Sequence, residues 1–343
     1  MLIVLAPGPE PASRTPLVVG IVNNMPPSAV RATERQFCGL LAAASKRFIV
    51  GVQFFSITRP GAAEPDDGGP GAYGDWRQLE RAGLDGLVVT GAPPPGGDLR
   101  DAPEWPRFAT LIDMARERRI PTIWSCLAAH AAALHLDGIQ RRALPRKLSA
   151  VVACNRTETY DPVMTGLPGS WRAPHSRYNE LPEESLIAGG YDILSRSREA
   201  GADIFAKECG VPFLFFQGHP EYEACTLLRE YRRDIGEFLT GLRRSYPDMP
   251  LNYFDPASIA ALDRFRERVL TVPHPDLLKD FPFGICEQGL RAPWREIAVG
   301  IWSNWITSLH LRRVSQGRRT ERLPDPVMTG PRLRVALPHV RAC

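Results

Sequence analysis

The chain has 343 residues, and 44% of them are hydrophobic, which is enough to bury the core of one large α/β domain or of two modest domains. A formal net charge of +4 is too small to indicate a nucleic-acid-binding protein, and no apolar run approaches the roughly 18 residues of a membrane-spanning helix. The seven cysteines include no CxxC pair, so the sequence predicts neither a bound metal nor a disulfide framework, and it favours the reducing cytoplasm.

Apolar runs alternate with helical patterns along most of the chain. Residues 1–16 are rich in proline and predict a loose segment. The elements predicted next are a strand over 17–24, a helix that Ser28 caps, strands over 49–57 and 84–93, a helix over 108–119, a strand over 120–125 and a helix over 127–136. Strand and helix signals continue to alternate up to a long helix over about 222–244.

This alternation predicts an α/β fold with a doubly wound, mostly parallel sheet and helices on both of its faces. We expect residues 17–245 to form that core. Residues 246–313 are rich in proline and aromatic side chains, end in a predicted helix, and are expected to pack on the core as an extension. Residues 314–343 are basic and Pro-rich, which predicts a disordered tail.

The segment IPTIWSCLAAHAAAL places a cysteine, Cys126, where a buried strand ends and an Ala-rich helix begins. Such a turn projects the side chain above the carboxyl edge of the sheet, where open α/β folds place their sites. The helix N-terminus stabilises an anion, and its N–H groups could bind a developing oxyanion. Cys126 is therefore a candidate nucleophile; the alternative is a small buried residue that packs strand against helix.

A second strand-to-turn junction supplies a base. In FLFFQGHPEYE, a buried strand is followed by a tight turn that carries His219 and Glu221. Because this strand also ends at the carboxyl edge, a nucleophile, a base and an orienting carboxylate would meet there, as covalent acyl transfer requires. The alternatives are a solvated turn histidine and a glutamate that favours the helix dipole.

Several motifs occur in a fixed order along residues 17–313. They are TGAP at 90–93, WSCLAAHAAAL around Cys126, RKLS at 146–149, APHSRY at 173–178, GHPEYEACTL at 218–227, NYF at 252–254 and a Trp-rich segment ending at Trp305. Together they resemble the homoserine O-acyltransferases of methionine biosynthesis, the homoserine O-succinyltransferase family, which has the class I glutamine-amidotransferase fold.

The resemblance implies roles for residues at matching positions. Cys126 would take the acyl group as a thioester, with His219 as general base and Glu221 as its support. Three further positions match substrate-binding residues of the family, and their alternative is an ordinary surface or turn residue: Lys147, Ser176 and Arg233. An arginine suits the amino acid's carboxylate, and a lysine suits a CoA phosphate or a carboxylate.

The sequence departs from the family pattern at several places. By spacing after TGAP, Pro95 occupies the position linked to acyl choice, where the family carries glycine for succinyl and glutamate for acetyl. Asn24 stands where leucine is usual, and the helix that follows has a less charged start. Residues 255–290 match poorly. The resemblance therefore leaves the acyl donor open between succinyl-CoA and acetyl-CoA.

Three activities fit these residues. The first is transfer of a succinyl or acetyl group from acyl-CoA, a co-substrate and not a bound cofactor, to L-homoserine through an acyl-cysteine. The second is the same chemistry on another hydroxy amino acid such as serine. The third is a glutamine-amidotransferase-like hydrolase. The partners implied are small molecules, with no nucleic acid and no membrane; a homodimer is compatible with this fold.

Overall fold

A computed structural model describes residues 2–4, 16–57, 73–92 and 96–317. Within these ranges one sheet has ten strands in the order β1-β3-β2-β4-β5-β10-β9-β8-β6-β7. The strands are β1 (Leu2–Val4), β2 (Leu17–Val22), β3 (Val50–Phe55), β4 (Gly86–Val89), β5 (Thr122–Ser125), β6 (Arg142–Arg156), β7 (Ser170–Glu180), β8 (Asp192–Ser197), β9 (Gly201–Glu208) and β10 (Pro212–Phe216).

The first half of the sheet is parallel, from β1 through β3, β2, β4 and β5 to β10. Strands β2, β3, β4 and β5 are buried along their whole length, which explains why their sequences are apolar without alternation. This half confirms the predicted doubly wound arrangement. Its carboxyl edge is where the chain leaves each strand for the next turn.

Helices cover both faces of this sheet. They are α1 (Pro27–Ala44), α2 (Trp76–Arg81), α3 (Trp105–Glu117), α4 (Leu127–Asp137), α5 (Glu183–Ala188), α6 (Thr226–Leu239), α7 (Pro256–Thr271), α8 (Phe283–Gly289) and α9 (Arg295–Ser315). Helices α1 and α9 share one apolar cluster with one face of the sheet, and α2, α3 and α4 share another cluster with the opposite face. Among the described helices, none is long and apolar enough to span a bilayer.

The second half of the sheet differs from the predicted alternation. Strands β6 to β10 follow one another, interrupted by a 3-10 turn over Pro162–Met164 and by the short α5 between β7 and β8. They pair antiparallel as β6–β7, β6–β8, β8–β9 and β9–β10. The sequences of β6 and β7 are half exposed and polar, so these two strands lack the continuous apolar runs by which the parallel strands are recognised. This half brings the APHSRY segment in β7 toward the carboxyl edge of β10.

The two ends of the chain also differ from the prediction in part. Leu2–Val4 form an edge strand that pairs with β3, where a loose segment was predicted, because their apolar side chains pack against the core cluster. Helix α9 runs to Ser315, so residues 314 and 315 are helical and do not belong to the predicted tail. Residues 5–15 and 318–343 lie outside the described residues.

The extension has two parts. Helix α9 packs on the sheet beside α1, whereas α7 and α8 share a separate apolar cluster with α6. A division of the chain at residue 245 would therefore separate α6 from the helices that it packs against. Helix α6 connects this small cluster to the turn that follows β10.

A buried ion pair fixes α9 to the core. The guanidinium of Arg313 is 2.9 Å from the Asp85 carboxylate and donates to the Pro16 carbonyl at 2.8 Å, and Asp85 also accepts from the Val18 amide. Both side chains are almost fully buried, at 3% and 6% exposed. Removal of one partner would leave an uncompensated buried charge.

We predict that Arg313→Met lowers the free energy of unfolding by about 3–5 kcal/mol, because Asp85 stays charged without its partner. The double variant Arg313→Met/Asp85→Asn, which removes the charge as well, should recover part of this loss. Urea unfolding at fixed pH measures both variants. A single variant within about 1 kcal/mol of wild type would contradict the assignment.

Candidate functional site

Cys126 lies in a strained turn between β5 and α4. Its backbone has φ +49° and ψ −111°, a conformation that side-chain-bearing residues rarely adopt. Its amide donates to the Phe216 carbonyl of β10 at 2.8 Å, which ties the turn to the neighbouring strand. The turn places the side chain, which is partly exposed, at the N-terminus of α4. This is the strand-to-helix junction that the sequence predicted.

His219 and Glu221 lie beside Cys126 at the end of β10. The Nδ1 atom of His219 is 2.9 Å from Oε1 of Glu221, and both residues are buried. Burial by itself lowers the pKa of His219, but the charges of Cys126 and Glu221, with side-chain hydrogen bonds to both, raise this pKa well above its usual value. The structure thus brings together all three residues proposed for the reaction.

A second histidine–carboxylate pair lies beneath this turn, and sequence reasoning did not identify it. His175 of β7 is fully buried, with Nε2 3.2 Å from Oδ1 of Asp203 in β9. The buried Arg177 donates from Nε to Nδ1 of His175 at 3.4 Å, and Ser195 donates to Oδ2 of Asp203 at 3.0 Å. Because Nδ1 accepts this hydrogen bond, the proton of the neutral ring is on Nε2, which faces Asp203.

Gly218 lies between the His219–Glu221 pair and the buried His175–Asp203 pair. A Cβ at this position would lie 3.0 Å from Nε2 of His175 and 2.7 Å from Oδ1 of Asp203, and the second distance is shorter than real Cβ atoms show. The next residue, His219, donates its amide to the Pro174 carbonyl of β7 at 2.8 Å. Only glycine therefore lets the chain approach the buried pair closely enough to place the His219 side chain beside Cys126.

The three residues that the resemblance assigned to substrate binding converge on two carboxylates of α6. Ser176 donates to Oε2 of Glu230 at 2.5 Å, and Nζ of Lys147 lies 2.8 Å from Oδ2 of Asp234. Arg233 donates to Oδ1 of Asp234 at 2.7 Å from a side chain that is 58% exposed. These contacts hold Lys147, Ser176 and Arg233 in one polar patch.

Tyr222 connects this patch to the base, and sequence reasoning missed it together with Glu230 and Asp234. The Tyr222 ring stacks on the His219 ring with centroids 4.2 Å apart, and its hydroxyl donates to Oε1 of Glu230 at 2.6 Å. The i, i+4 spacing of Glu230 and Asp234 places both on one face of the helix. This spacing is the feature of the sequence from which the two carboxylates could have been predicted to act together.

Two further points concern the predicted sites. Pro95, the predicted acyl-specificity position, lies outside the described residues.

In the described part of the chain, one buried group has atoms spaced for a metal ion, and these atoms lie within 4.8 Å of one another. The group consists of Cys154, His175 and Asp203. His175 and Asp203 of this group are the pair described above, and Nδ1 of His175 already accepts from Arg177.

We predict that Gly218→Ala lowers kcat/KM about a hundredfold without unfolding the chain, because the new methyl group displaces the turn that positions His219. Gly169→Ala is the matched control, since a Cβ there meets no atom within 4 Å. Steady-state kinetics and circular dichroism measure activity and fold. Equal kinetics for the two variants would contradict the role assigned to Gly218.

We predict that Glu221→Gln moves the titration midpoint of His219 to lower pH. The charge of the Glu221 carboxylate and its hydrogen bond are among the causes that raise the pKa of His219. Without them, His219 loses its proton at a lower pH than in the wild type. NMR of the labelled ring measures the midpoint, with Glu223→Gln as a control on the same turn. An unchanged midpoint in Glu221→Gln would show that the carboxylate does not act on the ring.

The comparisons with known proteins agree on one family. A family model described as homoserine O-succinyltransferase matches residues 10–314. The homoserine O-succinyltransferase of Methylorubrum extorquens is 44% identical over 87% of this chain and 88% of its own length. That of Rhodopseudomonas palustris is 42% identical over 85% and 87%, and that of Bradyrhizobium japonicum is 41% identical over 88% and 94%.

The fold agrees as well. A crystal structure of a glutamine amidotransferase from Methylobacillus flagellatus aligns with a TM-score of 0.50 at 18% identity, covering 93% of this chain and all of that one. At this identity the likeness shows the α/β fold alone.

Proposed function

This chain belongs to the homoserine O-succinyltransferase family, and we propose that it transfers an acyl group from acyl-CoA to the hydroxyl of L-homoserine through an acyl-cysteine. The observation that carries the proposal is the meeting of Cys126, on its strained turn, with the paired His219 and Glu221. A nucleophile, a base and an orienting carboxylate in this order are what two successive acyl transfers require.

In the first transfer, the Cys126 thiolate attacks the thioester carbonyl of acyl-CoA. His219, whose pKa is raised by Cys126 and Glu221 despite its burial, holds the proton that the thiol has lost. The N–H of Leu127, in the first turn of α4, has no carbonyl within its own helix and can donate to the developing oxyanion. The bond from carbon to CoA sulfur then breaks, CoA leaves with a proton, and the acyl group stays on Cys126.

In the second transfer, the acceptor hydroxyl attacks the acyl-cysteine. Neutral His219 removes the hydroxyl proton as the carbon–oxygen bond forms, and the bond to Cys126 breaks to release the O-acyl ester. Glu221 hydrogen-bonds to Nδ1 and so keeps Nε2 directed toward the reacting atoms. The next acyl-CoA then meets the restored thiolate–imidazolium pair.

The polar patch on α6 supports a charged amino-acid acceptor. Arg233, which is partly exposed, presents a planar fork that suits an α-carboxylate, and Glu230 and Asp234 offer charge of the opposite sign to an ammonium group. Lys147 and Ser176 border the same carboxylates and complete the proposed binding set. Asp234 holds a lowered pKa, since Lys147 and Arg233 outweigh its burial, so it stays ionised.

We propose succinyl-CoA as the donor, in line with the named activity of the relatives, and Pro95 as a residue near the acyl group. We further propose that the enzyme works in the cytoplasm, where the thiol of Cys126 stays reduced, and that it can form a homodimer. No cofactor is required by this chemistry, since acyl-CoA enters and leaves as a co-substrate.

The proposed reaction is tested by incubation of the purified protein with L-homoserine and either succinyl-CoA or acetyl-CoA. We expect release of free CoA, measured with a thiol reagent, and parallel double-reciprocal plots, because the acyl group passes through the enzyme. L-Serine replaces homoserine as the acceptor control. Ammonia release from L-glutamine with no CoA release would contradict the proposal and identify a hydrolase.

We predict that Arg233→Met raises KM for homoserine about tenfold and leaves the first transfer unchanged, because the lost contact is with the acceptor's carboxylate. Arg229→Met is the matched control, as it lies one turn earlier and pairs with Glu223. Initial rates at varied homoserine and acyl-CoA separate the two effects. A loss confined to acyl-CoA would instead place Arg233 in the donor site.

A further inference from the structure

Tyr222 contacts the proposed base at one end of its side chain and the polar patch at the other. Its ring stacks on the His219 ring with centroids 4.2 Å apart and an angle of 17° between the planes. Its hydroxyl donates to Oε1 of Glu230 at 2.6 Å. A single side chain therefore spans the separation between the group that takes the acceptor's proton and a carboxylate of α6.

Tyr222 is held in place by its backbone and by its packing. Its amide donates to the His219 carbonyl at 3.1 Å, and its carbonyl accepts from the buried Nε1 of Trp294 at 2.8 Å. The side chain belongs to a small apolar cluster with Val151, Leu227 and Trp294. Because its backbone and its ring are both fixed, Tyr222 is suited to keep two groups at a constant distance.

Glu230 is directed by two hydroxyl groups. Its Oε1 accepts from Tyr222, and its Oε2 accepts from Ser176 at 2.5 Å. Lys147 lies 3.7 Å from Oε2 but only 2.8 Å from Asp234, to which it is more closely paired. Hydroxyl donors orient a carboxylate without cancelling its charge. The Glu230 side chain is 17% exposed, so an ammonium group can reach it from solvent.

The two proposed transfers use the two ends of Tyr222 differently. Both require His219, against which the ring is stacked. Only the second requires the acceptor to be held by its ammonium group while its hydroxyl meets His219. The carbon chain of the acceptor fixes the distance between these two groups, and a misplacement of about 1 Å can slow a reaction about a hundredfold. The separation of Glu230 from His219 therefore matters for the second transfer alone.

We propose that Tyr222 is a positioning residue whose hydroxyl fixes Glu230 at a set distance from His219, so that the acceptor's ammonium and hydroxyl groups are in place together. This inference rests on the proposed function and deepens it. Tyr222 itself transfers no proton. Its burial and the nearby Glu230 raise the pKa of the phenol well above its usual value, so the hydroxyl stays protonated and keeps donating.

The test measures the two transfers separately in Tyr222→Phe, which keeps the stacked ring and loses the hydroxyl. Release of CoA without acceptor reports the first transfer, and decay of the isolated acyl-enzyme in L-homoserine reports the second. We expect the first rate to stay within about twofold of wild type and the second to fall about tenfold. The unchanged first transfer also shows that the variant is folded.

Tyr191→Phe is the matched control. Tyr191 is likewise a buried tyrosine whose hydroxyl donates to a carboxylate, that of Asp137 at 2.7 Å, but this pair lies at the opposite end of α4 from Cys126. The control loses an equivalent hydrogen bond away from the site. Both of its transfer rates should stay within about twofold of wild type.

A double-mutant cycle tests whether the hydroxyl acts through Glu230. Glu230→Leu removes the carboxylate and should itself slow the second transfer. Because the Tyr222 hydroxyl then has no carboxylate to hold, adding Tyr222→Phe to Glu230→Leu should slow the second transfer by less than about a further twofold.

Three outcomes overturn the inference: an unchanged second transfer in Tyr222→Phe, an equal loss in both transfers, and losses that multiply in the double variant. The second of these would indicate that the hydroxyl acts on the base or on the fold and not on acceptor placement. A wild-type protein that forms no acyl-enzyme would instead refute the proposed function, which keeps the two failures distinct.

Discussion

The hydrogen bond from the Cys126 amide to the Phe216 carbonyl holds the site together. It joins the turns that follow two neighbouring parallel strands, β5 and β10, and these turns carry the proposed nucleophile and its proposed base. The strained backbone of Cys126 is tolerable because β5 and the end of β10 beside it are buried and paired. The proposed chemistry therefore depends on the parallel half of the sheet.

The antiparallel half has a different task. Strands β7 and β9 place His175 and Asp203 directly beneath Gly218. Because Gly218 has no side chain, the turn that carries His219 can pack close against this pair. The buried guanidinium of Arg177 donates to the backbone carbonyls of Asn179 and Ala200, and these bonds hold it in place. Its positive charge partly offsets the buried negative charge of Asp203. Burial lowers the pKa of His175, which favours its neutral form. The charges of Cys126 and Glu221 raise the pKa of His219, which favours its protonated form.

Much of this architecture is predictable from the sequence, and the limits have physical reasons. Strands that are buried on both faces are continuous apolar runs, so β2, β3, β4 and β5 stand out, as do Cys126 and His219 at the ends of such runs. Strands β6 and β7 have one polar face and are not recognised, and the His175–Asp203 pair depends on their antiparallel pairing across distant segments.

Intact mass spectrometry of the purified chain after incubation with succinyl-CoA, without any acceptor, tests the central claim most directly. The account predicts that the protein gains the mass of one succinyl group, that Cys126→Ala gains none, and that added L-homoserine removes the adduct. Wild-type protein that stays unmodified by succinyl-CoA and by acetyl-CoA, or a Cys126→Ala variant that is still acylated, would contradict it.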